Sequence, residues 1–239
     1  MSHIKNVEAF GKLMGICTGY GGSFNPGRPN LQANAMAALT DNARQVMGEF
    51  HTAQTTFNNA TNKREVAFKD IQRLGTRIVS ALKASGASKL TIADAQASVR
   101  KLTGQQRTNR LPVASEAATT PKPKTRIAGG MDYATLAYHF AKLVETVSAE
   151  ANYQPNEAEL AVAGLTSQVK NLQQLNGSVN EASAQLSNVR KKRNALLYDS
   201  ANSLVDTGNA VRQYVRAAYG PASEQNKEVK RIQFTKPKA

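Results

Sequence analysis

Apolar positions in this chain fall mainly three and four apart, the spacing that puts them on one face of a helix. Ile4, Val7, Met14 and Cys17 make such a stripe over residues 3–17, and Gly19-Tyr20-Gly21-Gly22 ends it. After Pro29, whose fixed φ suits a first helical turn, Leu31, Leu39, Val46, Phe50 and Phe57 draw the seam of a long helix. Ala35, Ala43 and Ala53 lie between them, and the pattern runs to about Asn62. Ile71, Leu74, Ile78, Val79 and Leu82 predict a third helix with Gly86 placed to cap it. Thr91 offers an N-cap for a short helix through Val99 to Leu102.

From Gly104 to Gly130 the pattern disappears. Pro112, Pro121 and Pro123, with five Lys or Arg against one Glu, predict an extended linker there. The helical spacing then resumes. Asp132 is a good N-cap for a helix with Tyr133, Leu136, Phe140, Leu143, Val144 and Val147 on one face. Beyond Pro155 a second long seam carries Leu160, Leu165, Val169, Leu172, Val179, Leu186 and Val189, and Asn176-Gly177 is expected to interrupt and bend it. Leu196-Leu197-Tyr198 leads through a polar turn into a helix with Leu204, Val205, Val211, Tyr214 and Val215, ended by Gly220-Pro221.

The two stretches share more than a period. Phe24-Asn25-Pro26 followed by Leu31 and Met36 matches Tyr153-Gln154-Pro155 followed by Leu160 and Leu165, all at an offset of 129 residues. Lys63-Arg64 falls on Lys192-Arg193 and Phe68 on Leu197 at that offset, while Phe10, Lys12 and Leu13 match Phe140, Lys142 and Leu143 at 130. A fixed offset of this length reads as an internal duplication. The expected fold is therefore all-α: an internally duplicated helical bundle, each unit one long helix plus two shorter ones. The units are residues 1–103 and 131–223, joined by the Pro/Thr/Lys linker 104–130 and followed by a basic docking tail, 224–239.

Composition agrees with helices packed through small and aliphatic side chains: 41% of residues are hydrophobic but only 6% aromatic, and Trp is absent. Lys and Arg number 31 against 17 Asp and Glu, a net charge of +14 that attracts acidic partners without deciding the fold. The single cysteine, Cys17, excludes an intramolecular disulfide framework and lies on an apolar stripe, where core packing is its expected role. No basic segment followed by an apolar core opens the sequence and no run of 18 apolar residues occurs, so the expectation is a cytoplasmic protein with no membrane span.

Catalytic chemistry finds little support. His3, His51 and His139 are far apart and none has an acidic residue three or four positions on, which argues against a metal site. Ser80-Ala81-Leu82-Lys83 and Ser167-Gln168-Val169-Lys170 match S-x-x-K, but inside helices and without the companion motifs. Asn59-Ala60-Thr61 and Asn176-Gly177-Ser178 are glycosylation sequons by pattern alone. No catalytic, metal or cofactor residue is assigned, and no cofactor is expected.

The basic clusters carry more. Lys63 and Arg64, and Arg190, Lys191, Lys192 and Arg193, occupy the equivalent end of each long helix, where they either bind an anion or offset the helix dipole. Pairs Arg73/Arg77 and Arg212/Arg216 follow at i,i+4. In the tail, Val229, Ile232 and Phe234 are spaced for docking, and a neighbouring subunit is their expected partner.

Two segments, Arg77 to Gly86 and Leu196 through Tyr219-Gly220 to Lys238, resemble an uncharacterised family of bacterial helical proteins. The resemblance covers most of the chain from about Phe24 onward and implies a bacterial, helical protein without bringing any functional residue. The sequence thus points to a non-enzymatic structural protein that forms a homo-oligomer, particle or filament. The alternative is a polyanion-binding module that takes nucleic acid on the basic clusters.

Overall fold

In the computed structural model, residues 3–104 and 132–236 are described; the expected linker therefore lies almost wholly outside the described residues. Among those residues every regular element is helical and no strand occurs. Eight α-helices follow in order: α1 (His3–Gly19), α2 (Ala33–Phe68), α3 (Ile71–Ala84), α4 (Lys89–Leu102), α5 (Tyr133–Ser148), α6 (Val162–Asn194), α7 (Leu204–Tyr219) and α8 (Glu224–Lys230). Short 3₁₀ turns at Gly21–Ser23 and Pro29–Leu31 precede α2, and a π-helical turn, Ala195–Asp199, closes α6. No described helix is long and apolar enough to cross a membrane.

Local chemistry sets most of the boundaries. Asp132 caps α5 as expected, its Oδ1 accepting the Ala134 and Thr135 amides at 2.9 Å each. Ser203 caps α7, accepting the Asp206 amide while donating its hydroxyl to the Asp206 carboxylate. Gly86 and Gly220 follow α3 and α7 at φ +78° and +91°, backbone that side-chain-bearing residues rarely adopt. Three boundary expectations are corrected. Ser88, rather than Thr91, caps α4, because its hydroxyl accepts the Thr91 amide. The first long helix continues past Asn62 to Phe68. Asn176-Gly177 does not interrupt α6, since Asn176 faces inward and donates to the Tyr133 carbonyl at 3.0 Å.

The chain forms two compact units, residues 1–58 with 182–239 and residues 59–181. The contacts therefore do not divide at 1–103 and 131–223; each unit draws segments from both stretches of the sequence. Helix length is the reason. At 36 and 33 residues, α2 and α6 are each about 50 Å long, beyond the reach of one small core, so each contributes to both units. The remaining helices number three per unit rather than the expected two.

The first unit packs α1 and α8 on α7, around Phe10, Leu13, Met36, Leu197, Val211 and Val215. The second packs α3, α4 and α5 together, around Ile78, Leu82, Leu102, Phe140, Leu143 and Leu172. Most seam residues are buried, Leu172 completely, but Phe50 is only half-buried and lies beneath the guanidinium of Arg193.

Candidate functional site

The basic cluster ending α6 is largely engaged within its own unit. Lys192 Nζ lies 2.8 Å from Glu49 Oε2, and that hydrogen bond, with a second from Gln45, holds the Glu49 carboxyl below its ordinary pKa. Arg190 donates to Gln54 Oε1 at 3.2 Å. Arg193 is buried, stacked 4.6 Å from the Phe50 ring centroid and bonded twice to Asn194 Oδ1, and its burial lowers its pKa. Lys191 is exposed. In the other unit Arg64 lies 4.2 Å from the centroid of Tyr133, while Lys63 is exposed. Cation–π packing therefore engages Arg64 in one cluster and Arg193 in the other.

The tail segment is likewise occupied within the chain. Glu224–Lys230 forms α8, capped by Ser223, and Val229 is fully buried. Ile232 and Phe234 pack against the first unit's core, Phe234 with its ring centroid 6.4 Å from that of Phe10. Asn6, itself buried, clamps the same segment by giving its Nδ2 to the Thr235 carbonyl (2.8 Å) and taking the Thr235 amide on Oδ1 (3.1 Å). Lys236 adds an ion pair to Asp206 at 2.8 Å, which keeps the Asp206 carboxyl below its ordinary pKa. Ile232 and Phe234, expected to dock on a neighbouring subunit, pack within this chain on their own unit's core, where α1 and α7 offer them an apolar seat.

Reactive side chains are quiet. Cys17 is fully buried, and burial pushes its thiol up to about 12, far from the thiolate that reacts. Ser80 and Ser167 each donate to a helix carbonyl one turn back, Thr76 and Ala163. His3 hydrogen-bonds the Tyr198 hydroxyl at 2.8 Å, and His139 meets the Tyr138 ring edge-on. Among the described residues no group of three His, Cys, Asp or Glu side chains could hold a metal ion.

An arginine pair lines one recess in each unit. The first, about 850 Å³, lies between α3 and residues 152–160, with Arg73, Arg77, Ser80, Gln154 and Glu157 on its walls. The second, about 500 Å³, lies between α7 and α8 and is lined by Arg212, Arg216 and Lys230 with Asn209, Gln213 and Asn226. The sequence singled out both arginine pairs but not the recesses, the second of which needs the turn at Gly220 to fold α8 back onto α7.

No protein-family model matches the chain, and no curated protein or solved structure is significantly similar to it. The class of protein is therefore defined by the fold and its surfaces alone.

Proposed function

We propose that this chain is a non-enzymatic structural protein, an internally duplicated helical scaffold that assembles with copies of itself. The observation that carries the reading is the identity of what recurs. Phe24 and Tyr153, Leu31 and Leu160, Met36 and Leu165, Phe10 and Phe140, Leu13 and Leu143, and Phe68 and Leu197 are all buried. The order of elements supports the duplication as well. A short helix, a long one and two further helices occur twice, and both closing turns pair a positive-φ glycine (Gly86, Gly220) with a capping serine (Ser88, Ser223). A duplication that keeps packing positions and no reactive group suits a scaffold better than an enzyme.

Association surfaces on the second unit include Leu90, Tyr138 and Val66, which are 80%, 64% and 74% exposed. Burial against another copy would remove this apolar surface from water, a gain of roughly 25 cal/mol per Å². Nucleic-acid capture by the helix-end clusters has less support, since Arg64, Arg190, Lys192 and Arg193 already have partners in the chain. Sedimentation velocity across a hundredfold concentration range tests the proposal. The wild type should form progressively larger species, and Leu90→Glu with Tyr138→Glu should weaken that growth. A strictly monomeric wild type at every concentration would overturn it.

A further inference from the structure

The two arginine pairs make an internal comparison. On α3, Arg73 lies 3.3 Å from Asp70 Oδ1 and Arg77 lies 2.6 Å from Glu159 Oε2, so each guanidinium has a carboxylate. On α7, Arg212 and Arg216 repeat the same i,i+4 spacing, and no carboxylate lines their recess. The acidic residues of α8 are occupied elsewhere: Glu224 pairs with Lys227, and Glu228 accepts the Tyr20 hydroxyl. Lys230 brings a third cation to the wall.

Arg212 is also incompletely satisfied. Its two contacts, to Asn209 Oδ1 and the Lys230 carbonyl, are each 3.4 Å, long for a charged donor, and its Nε is buried with no acceptor. A buried guanidinium N–H without an acceptor is a standing cost to the fold unless something brings an oxygen to it. Gathering three cations around one recess adds mutual repulsion, which an oxyanion seated among them would relieve.

We infer that the α7–α8 recess is a binding site for a small phosphorylated molecule, a role separate from the proposed assembly. A phosphate group presents several charged oxygens, enough for two guanidiniums and an ammonium together, and arginine forks match that geometry. The recess, at about 500 Å³, is larger than a bare phosphate and falls in the range of small-molecule sites. Asn209, Gln213 and Asn226 line the remainder with amides suited to hydroxyls on the body of the ligand.

Isothermal titration of the full chain with inorganic phosphate and with pyrophosphate, at fixed ionic strength, tests the site. Saturable binding is expected, and Arg212→Gln with Arg216→Gln should weaken it about tenfold or more. Arg73→Gln with Arg77→Gln should leave it unchanged. Should the double variant fold poorly, Arg216→Gln alone serves, because that side chain is exposed. No saturable binding at millimolar ligand, or equal loss in both pairs, overturns the inference. So does binding confined to oligonucleotides, which would mark a nucleic-acid surface instead.

Discussion

Gly208 lies within α7, where a Cβ would come 2.5 Å from Phe234 Cζ and 2.6 Å from its Cε2. Replacing a helical glycine by alanine ordinarily stabilises by about 1 kcal/mol, through backbone entropy. Here the methyl and the ring cannot occupy the same space, and the ring belongs to the terminal segment, which is the softer partner. Gly208→Ala should therefore displace Phe234. A fully buried Phe is worth about 3–5 kcal/mol against Ala, so roughly 2 kcal/mol is at stake for this half-buried ring. The net effect in the wild type is a loss of about 1 kcal/mol. In a Phe234→Ala background the obstacle is gone, and the same substitution should stabilise by about 1 kcal/mol. The coupling between the two sites is then about 2 kcal/mol, well above the additivity expected of independent positions. Urea unfolding followed by helical circular dichroism measures the four corners of the cycle. Amide exchange at Thr235, whose N–H is held by Asn6 Oδ1, reports the strap directly and should accelerate in Gly208→Ala. An effect of the same sign and size in both backgrounds would refute the assigned contact.

Leu172→Ala, at a completely buried position, should destabilise by about 2–5 kcal/mol, whereas Phe50→Ala should cost less because the ring is half-buried; equal losses in urea unfolding would contradict these placements. His3 and His139 make stability depend on pH: burial first, then Arg193 for His3 and Lys101 and Lys142 for His139, lower both pKa values from 6.5. The unfolded chain then binds more protons below pH 6.5, so stability should fall as pH drops from 6.5 to the folded values and should be flatter in His3→Gln with His139→Gln. A urea midpoint rising on acidification through that window would reverse the sign of the argument.

Helix existence was legible in the sequence because it rests on local facts. The stripe Ile71 to Leu82, the Asp132 cap and the glycines after α3 and α7 act within a turn or two of the chain, and each stands where the pattern put it. The candidate site was legible only in part. Sequence marked the arginine pairs and basic clusters by spacing, but their partners lie far along the chain: Glu49 for Lys192, Glu159 for Arg77, and none of carboxylate type for Arg212. The same limit explains the tail. A seven-residue helix is too short to hold by itself, so α8 exists because Val229 has a core to enter. Asn176 reads as a breaker until the Tyr133 carbonyl is beside it, and Asn6 carries no signal at all until Thr235 arrives 229 residues later. A three-and-four seam states that a face must be buried without stating against what. That choice is made by long-range packing, and it joined the first part of each long helix to the latter part of the other within one compact unit.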